Sequence, residues 1–288
     1  MLKLLNDYRW EQQLRLRFIE IVVQWEGQFA TNHLMDTFNI GRQQASKDIS
    51  AYNEHINPDA LKYDASKKRH VPNTAFTPQI THGTVDEYLT LLSSNTTEHS
   101  LFAGLSIDGS QSEVVQLPIR SLSPSIIRPL LQACKERQRL DVDYVSIHRP
   151  SREGRVIVPH TLVNNGKRWH VRAWCEQNQD YRDFVLSRFR GSAELMGESQ
   201  HGIEGDVKWN TLVPIIIKPD MRLSDEQQEV VELDYGMTNG ELVIHTRGAL
   251  VHYVLQGLQI DTQVMQIKPE AQQICVANLD KVSGYLFG

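Results

Sequence analysis

The N-terminal part of the chain repeats apolar residues with the spacing of an α-helix. Between residues 9 and 26, one face carries Leu14, Phe18, Ile21, Val22 and Trp25, a pattern typical of a helix packed on one side. Thr31 is placed to cap a second, short helix over residues 32–38. A tight turn that ends at Gly41 then precedes a third helix, which we expect from residue 42 to about residue 55.

The third helix has one apolar and one polar face. Its apolar residues recur at helical spacing and are expected to bury; they are Ala45, Ile49, Tyr52 and Ile56. Its other side carries groups that reach base edges and phosphates in a major groove; they are Arg42, Gln43, Gln44, Ser46, Lys47 and Ser50. This order of helices is that of a helix-turn-helix, so we expect DNA reading. The alternative is a plain three-helix core with a solvated polar face.

Residues 61–71 predict two short strands around a basic turn. The cations of this turn are Lys67, Lys68 and Arg69. After a helix of the reading type, such a hairpin is typical of a wing that lies along the phosphate backbone of DNA.

The middle of the chain changes to the alternation of β-strands. Residues 79–122 form a connector, and Ser123-Pro124 predicts the start of a helix that reaches about residue 139. Residues 140–148 alternate as a strand does. Two further alternating runs flank a polar break and predict a β-hairpin over residues 168–190.

Each run of this hairpin places arginines among large side chains on one face. The first run groups Arg168, His170, Arg172 and Trp174, and the second groups Arg182, Phe184, Leu186 and Arg188. Because burying an unpaired charge is costly, this pattern favours a face built to hold an anion. The alternative is a solvated strand face whose arginines extend into water.

The C-terminal block alternates strand-like and helix-like segments. Strands are expected over residues 213–218, 241–246 and 263–267. Helices are expected to begin at Ser224, at Ala249 and at Glu270, the last of them reaching about Val282. This order predicts a small α+β layer.

Composition and charge limit the class of protein to which the chain can belong. With 40% apolar and 23% charged residues and scattered cysteines, the chain is typical of a cytoplasmic protein with reduced thiols. The net charge of −5 hides a basic middle, since residues 120–200 hold 14 Lys and Arg against 9 Asp and Glu. Any contact with DNA must therefore come from a local patch.

The motifs between residues 155 and 189 resemble the WYL family of bacterial transcription regulators. They run from Arg155-Val-Ile-Val-Pro159-His160 through Trp169-His170-Val171 to Tyr181-Arg182-Asp-Phe184 and Arg188-Phe189. The resemblance implies an SH3-like (Sm-like) β-barrel that senses a ligand. Of the family's Trp-Tyr-Leu triplet only Trp169 remains, because His170 stands for Tyr and Val171 for Leu.

The resemblance and the polar residues of this region together predict a ligand pocket. Its candidate residues are Tyr144, Ser146, His148, Arg155, His160, Trp169, His170, Arg172, Arg182 and Arg188. Arginines mixed with His, Tyr and Ser suit a phosphate-bearing effector, such as a nucleotide, a cyclic oligonucleotide or a nucleic-acid end. We expect no other cofactor and no metal.

No catalytic constellation is recognisable. Two fragments around Ser106 and Ser199 approach a nucleophile elbow, but neither has the closing glycine. There is no HExxH motif, no P-loop and no dinucleotide-binding glycine pattern. We therefore expect a protein that is not an enzyme.

The sequence thus predicts an α+β multidomain regulator. The domains are expected to be a winged helix-turn-helix over 1–78, a connector over 79–122, a WYL-like sensor over 123–197 and an α+β extension for dimerisation or gating over 205–288. The layout resembles that of WYL regulators encoded beside anti-phage systems such as BREX and CBASS, which usually repress. We expect a homodimer on an inverted repeat in a DNA operator; the alternative is a nucleic-acid-binding adaptor whose basic barrel binds single strands.

Overall fold

The chain divides into two compact units, residues 1–117 and 118–288. The structure, a computed structural model, describes residues 5–95, 115, 120, 122–147, 153–262 and 268–286.

Three helices form the first unit's core. They are α1 (Trp10–Glu26), α2 (Thr31–Phe38) and α3 (Arg42–Ala51). Gly27 ends α1 in the left-handed conformation, with φ 67°, which glycine adopts without steric cost. Thr31 is the first helical residue of α2 rather than its cap, because Ala30 holds the extended cap position and no side chain caps this helix.

The C-terminal end of α3 widens into a π-helical turn, Tyr52–Ile56. The four apolar residues that the pattern assigned to the core are indeed buried: Ala45, Ile49, Tyr52 and Ile56. They pack with apolar residues of α1 and α2 in one cluster. The remaining side of α3 therefore stays at the surface.

The predicted wing follows this helix. Strands β1 (Leu61–Asp64) and β2 (Arg69–Pro72) pair antiparallel. The backbone of Phe29 exchanges two hydrogen bonds with that of His70, at 2.7 and 2.8 Å, which ties the wing to the segment between α1 and α2. Helix α4 (Val85–Asn95) completes the described part of this unit.

The buried carboxylate of Glu20 joins the π-helical turn after α3 to residues 79–81, which follow the wing. Glu20 of α1 is fully buried. Its side chain accepts hydrogen bonds from the Tyr52 hydroxyl at 2.7 Å and from the backbone N–H groups of Gln79, Ile80 and Thr81 at 2.8–2.9 Å. Burying a carboxylate without hydrogen-bond partners costs free energy. These bonds therefore hold Tyr52 and residues 79–81 against α1.

The second unit begins with a helix and a five-stranded antiparallel sheet. Its elements are α5 (Pro124–Glu136), β3 (Gln138–Tyr144), β4 (Glu153–Asn164), β5 (Trp169–Cys175), β6 (Asp180–Val185) and β7 (Phe189–Glu198). As predicted, Ser123 caps α5, accepting from the N–H of Ser125. The inner face of the sheet packs on α5 through Leu130, Val171 and Ala173, among others.

This sheet is open, which corrects the predicted closed barrel. The strand order is β6-β5-β4-β3-β7, and in the described residues no pairing joins the edge strands β6 and β7. The predicted second run also ends early, because the chain turns through a 3-10 segment, Leu186–Arg188, before β7. Since only three residues connect opposite edges of the sheet, the sheet must curl strongly.

The C-terminal part of this unit is a small α+β layer. Its elements are α6 (Val207–Asn210), β8 (Leu212–Pro219), α7 (Asp225–Asp234), β9 (Leu242–Arg247), α8 (Val251–Gly257), α9 (Pro269–Gln272), β10 (Ile274–Val276) and α10 (Leu279–Val282). The sheet order is β10-β8-β9, and both pairs are antiparallel. Ser224 caps α7, the helix predicted to begin there, and forms a capping box with Gln227.

The long final helix predicted from Glu270 to Val282 is wrong. Gln273 adopts φ 63° and ends α9, and the next residue, Ile274, is fully buried in a strand that pairs with β8. The free energy gained by burying Ile274 in this strand outweighs the local preference for a helix. The strand predicted over residues 263–267 lies outside the described residues.

No helix in the described part of the chain is both long and apolar enough to cross a membrane.

Candidate functional site

The outer side of α3 presents an exposed polar surface. Arg42, Gln43, Ser46, Lys47 and Ser50 are all exposed, and they line one shallow groove together with Glu54 and His55. These residues face away from the core because the apolar residues of α3 occupy its other side. The groove therefore carries the donors and cations that the sequence assigned to DNA reading.

Gln44 differs from the other predicted reading residues. It is exposed but lies on the flank of α3, where its Nε2 donates to Oδ1 of Asp48 at 3.0 Å. Asp48 is fully buried and pairs with Arg15 of α1, Nε to Oδ2 at 2.6 Å. The hydrogen bond to Asp48 thus holds the Gln44 amide in place, whereas the Gln43 side chain forms no hydrogen bond within the part of the chain that the structure describes.

The tip of the wing is basic and well ordered by its own side chains. Lys67 and Lys68 are exposed, and Arg69 is half-buried. Asp64 accepts hydrogen bonds from the N–H of Ser66 and of Lys67, at 2.9 and 3.2 Å. These bonds shape the turn that presents the lysines to solvent, the arrangement needed for phosphate contacts.

In the second unit, the outer face of β5 is covered rather than solvated. Arg172 is 4% exposed. Its guanidinium makes a bidentate pair with Asp206, at 2.7 Å from Nε and 3.1 Å from Nη2. Asp206 caps α6 by accepting from the N–H of Trp209. The charge that the sequence pattern left unpaired therefore has a partner 34 residues further along the chain.

A second carboxylate extends this buried network. Asp183 on β6 accepts from Nη1 of Arg172 at 3.3 Å and from the hydroxyl of Tyr253 on α8 at 2.9 Å. Burial raises the pKa of Asp183, although Arg172 and Tyr253 oppose this shift. Burial acts on Asp206 in the same direction, but hydrogen bonds from His160 and Arg172 hold the pKa of Asp206 well below its usual range.

A cavity of about 570 Å³ opens beside this network. Its walls come from the β5–β6 hairpin, from the 3-10 turn after β6 and from α6 and α8. The predicted ligand residues that line it are His170, Arg172, Arg182 and Arg188. These four predicted residues therefore lie together on one wall of the cavity.

The other wall was missed. Its lining residues include Lys208 of α6 and His252, Tyr253 and Gln256 of α8, and the hairpin itself adds two residues outside the predicted set, Arg168 and Tyr181. Arg168 stood on the cationic face of the hairpin, and that position was the one signal for it. The residues of α6 and α8 gave no local signal, because only the fold brings them against the hairpin.

The cavity lining carries five cations against two carboxylates, Asp180 and Asp183, and this balance favours an anion. Among the described residues, Arg168, Arg188 and Lys208 form no ion pair with a carboxylate. Burial, followed by the charges of Arg168, Arg188 and Arg120, lowers the pKa of His170 to about 4. Burial is the larger cause of this shift, and the three arginines add to it because like charges disfavour the charged form of histidine.

The remaining predicted ligand residues lie elsewhere. Tyr144 is buried in the core, where its hydroxyl accepts from the N–H of Val185. His160 bonds to Asp206 and Trp169 is 49% exposed, and neither lines the cavity. Ser146 follows β3, and the Arg155 guanidinium lies 5.9 Å from the centre of the Tyr144 ring. His148 falls outside the described residues.

Within the described ranges, no three His, Cys, Asp or Glu side chains are grouped as metal ligands. The cavity lining can bind an anion through arginine and lysine, and it can stack a ring on Tyr253, whose ring centre lies 5.0 Å from that of His170.

Three family models match the chain. Residues 11–94 match the BrxR transcriptional regulator winged helix-turn-helix domain. Residues 125–193 match the WYL domain, and residues 212–282 match the BrxR transcriptional regulator C-terminal dimerization domain.

Curated relatives match almost the whole chain. It is 35% identical over 280 residues to the DNA-binding transcriptional repressor CapW of Escherichia coli, covering 96% of this chain and 93% of that protein. It is 32% identical to CapW of Pseudomonas aeruginosa, with 95% and 91% coverage. These relatives are named as repressors and not as enzymes, in agreement with the function class predicted from the sequence.

Among solved structures, the chain is similar to the proteasome accessory factor B/C of Arthrobacter aurescens at 14% identity, with a TM-score of 0.26. It covers 96% of this chain and 47% of that one. A likeness at this level does not bear on function.

Proposed function

This chain belongs to the family of the CapW DNA-binding transcriptional repressors, and from that premise we propose that it is a ligand-responsive repressor. It acts as a homodimer on an inverted repeat, and a phosphate-bearing effector in the cavity changes its affinity for that operator. The observation that carries the effector proposal is the set of cavity cations without carboxylate partners.

The reading surface is the exposed side of α3, with the wing beside it. Arg42, Gln43 and Lys47 face solvent from one groove, as side chains that enter a major groove must. The lysines of the wing tip supply phosphate contacts, which carry affinity but no sequence information. This division of roles makes α3 the source of specificity.

The operator is an inverted repeat because one such helix contacts only a few base pairs. Residues 212–282 match a dimerization domain, and a two-fold dimer places its two reading helices on half-sites about one or two helical turns apart. Binding by the dimer then supplies the length of site that one α3 lacks.

The effector is a nucleotide or a nucleic-acid end. Arg168, Arg188 and Lys208 offer the cations for phosphate groups, and the aromatic side chain of Tyr253 offers a face for a base. The cavity lies between the hairpin and α8, so an effector that binds one arrangement of these walls better shifts the population of operator-competent dimers.

The regulated genes are those of a phage-defence operon that includes this regulator's own gene. The support is the match to BrxR-type domains at both ends of the chain and the resemblance to regulators encoded beside such systems. Repression keeps the defence genes silent until the effector is present.

Gel-shift titration against the DNA upstream of the chain's own gene tests the repressor proposal. We expect a specific complex whose stoichiometry is one dimer per site and whose footprint covers two symmetric halves. Affinity for the upstream duplex is expected to exceed that for a scrambled duplex by at least about a thousandfold. Equal binding to both duplexes, with preference for single strands, would instead support an adaptor that binds nucleic acid without promoter specificity.

The effector proposal is tested by repeating this titration with ATP, with a cyclic dinucleotide and with a 5′-phosphorylated oligonucleotide. We expect one of these probes to change operator affinity by about 5- to 150-fold. The double variant Arg168→Ala/Arg188→Ala should lose this response. The matched control is Arg190→Ala, an exposed arginine of β7 outside the cavity lining, which should keep it. If the double variant keeps the response, this cavity is not the effector site.

A further inference from the structure

The proposed function does not use the buried carboxylate of Asp48 in α3. Asp48 has a side-chain exposure of 0%. It accepts three hydrogen bonds from side chains: from Arg15 Nε at 2.6 Å, from Gln12 Nε2 at 2.9 Å and from Gln44 Nε2 at 3.0 Å. The first two donors belong to α1, and the third belongs to the exposed flank of α3 itself. Asp48 therefore links the helix scaffold to one side chain of the reading helix.

This linkage fixes which end of the Gln44 amide points outward. The Asp48 carboxylate, paired with the Arg15 guanidinium, offers only acceptor atoms. The amide nitrogen of Gln44 must therefore face Asp48, because the reversed amide would bring its carbonyl oxygen against a carboxylate oxygen. Gln44 is left with its carbonyl oxygen and one N–H for an external partner.

One acceptor beside one donor is the pattern complementary to adenine. In the major groove, adenine presents the N6 amino group as donor and N7 as acceptor, whereas guanine presents two acceptors. A glutamine that is free to rotate its amide can donate to guanine or thymine as well. We propose that Asp48 orients the Gln44 amide so that α3 reads an adenine in each operator half-site, an inference that rests on the proposed role of α3 as the reading helix.

In this proposal Gln44 touches the base and Asp48 is a positioning residue. The neighbouring Gln43 forms no such hydrogen bond with any described residue, so its amide can rotate to suit the base it meets. Discrimination at the position read by Gln44 should therefore be sharper than at the position read by Gln43.

Selection of binding sites from a random duplex pool by the full chain, followed by sequencing, tests this assignment. We expect one position in each half-site to be adenine, favoured over the other bases by roughly tenfold. Gln44→Ala should abolish the preference at that position alone.

Asp48→Asn tests the positioning role. The amide of the new side chain can donate to Gln44 Oε1, so the Gln44 amide can turn over. We expect the adenine preference to fall by roughly tenfold at the same position, while the other positions keep theirs. Gln12→Ala is the matched control, since it removes another hydrogen bond to the same Asp48 oxygen without touching Gln44, and its selected sites should equal those of the unmodified chain.

A melting curve for each variant separates loss of fold from loss of reading. If Asp48→Asn alone does not fold, the double variant Arg15→Gln/Asp48→Asn leaves no guanidinium without its partner and takes its place in the selection.

The outcomes separate this inference from the proposed function. If the unmodified chain enriches no sequence at all, α3 is not a reading helix and both fail. If it enriches a site that Gln44→Ala leaves unchanged, the assignment of adenine to Gln44 fails alone. If Gln44→Ala removes the preference but Asp48→Asn retains it, Asp48 has no positioning role.

Discussion

The polar face of α3 and the outer face of β5 look alike in sequence and differ in the folded chain. Both carry cations and hydrogen-bonding groups on one side of an element whose other side is apolar. On α3, Arg42 and Lys47 are exposed along a shallow groove. On β5, Arg172 is 4% exposed and lies between two carboxylates.

On both faces, the cost of burying a charge decides what a cation can bind. An exposed cation is solvated and free to meet a phosphate, so the surface of α3 suits a large partner that arrives from solution. A buried cation needs a partner within the fold, and Arg172 obtains Asp206 and Asp183. Arg168 and Arg188 at the rim of the β5 face form no ion pair with a carboxylate among the described residues, and they are the cations that the proposed effector would meet.

The largest effect on stability is expected from removing the buried cation, Arg172. Arg172→Met leaves Asp206 and Asp183 buried without their guanidinium, and we expect the free energy of unfolding to fall by about 3–5 kcal/mol. Urea denaturation of the full chain, followed by tryptophan fluorescence, measures this. A loss below about 1 kcal/mol would mean that the β5 face is solvated after all.

The next largest effect concerns the pH dependence of stability. The folded chain holds the pKa of His170 near 4 against an ordinary value of 6.5, so the unfolded chain binds the proton more readily. The free energy of unfolding must then fall as the pH drops from 6.5 toward 4, by about 2 kcal/mol at a pH of about 5.

His170→Tyr removes this titration and is the variant for comparison. Urea denaturation at about pH 7 and pH 5 should show that the unmodified chain loses about 2 kcal/mol more than the variant. Identical losses in the two proteins would show that neither burial nor the neighbouring arginines lower the pKa of His170.

The exposed cations of the first unit should act on DNA binding instead of stability. Lys67→Ser/Lys68→Ser is expected to weaken binding to every duplex alike and to lower the salt slope of binding by up to about 2. The loss of affinity between about 50 and 200 mM salt should become about tenfold smaller.

Fluorescence anisotropy on the operator and on a scrambled duplex measures these salt slopes. Arg128→Ser/Lys135→Ser on the exposed side of α5 removes the same charge outside the reading surface and should leave the slope unchanged. If both double variants lower the slope equally, the wing is not the phosphate contact.

The smallest effect on stability is expected at Arg182, the exposed arginine of the same hairpin. Arg182 lies on the strand next to Arg172, but its side chain is 53% exposed and its contact with Asp180 is 3.9 Å long. Arg182→Met should therefore change the free energy of unfolding by no more than about 0.5 kcal/mol. A loss as large as that expected for Arg172 would show that exposure is not what separates the two arginines.

The elements that depend on near neighbours were predictable from the sequence. The three N-terminal helices, the wing and the β5–β6 hairpin each follow from periodicity and turn residues within a short window. The alternation nevertheless ran on through Leu186 and Arg188, which lie in a 3-10 turn. The pattern does not distinguish a strand from such a turn when both place apolar residues inward.

The contacts that depend on distant residues were not predictable. Nothing near Arg172 in the sequence announces Asp206, and nothing in α8 marks Tyr253 as a wall of the cavity. The final helix was predicted through Ile274 because its spacing fits a helix, but tertiary pairing with β8 makes that residue part of a strand.

The pairing of Arg172 with Asp206 also limits how this protein can be recombined. Arg172 lies within the segment that matches the WYL domain, residues 125–193, whereas Asp206 lies in the stretch between that segment and the next match at 212–282. A graft of residues 125–193 into another regulator would carry a buried arginine without its aspartate. The exchangeable module therefore extends at least through α6, and a chimera intended to respond to a new effector should join its parents after Asn210.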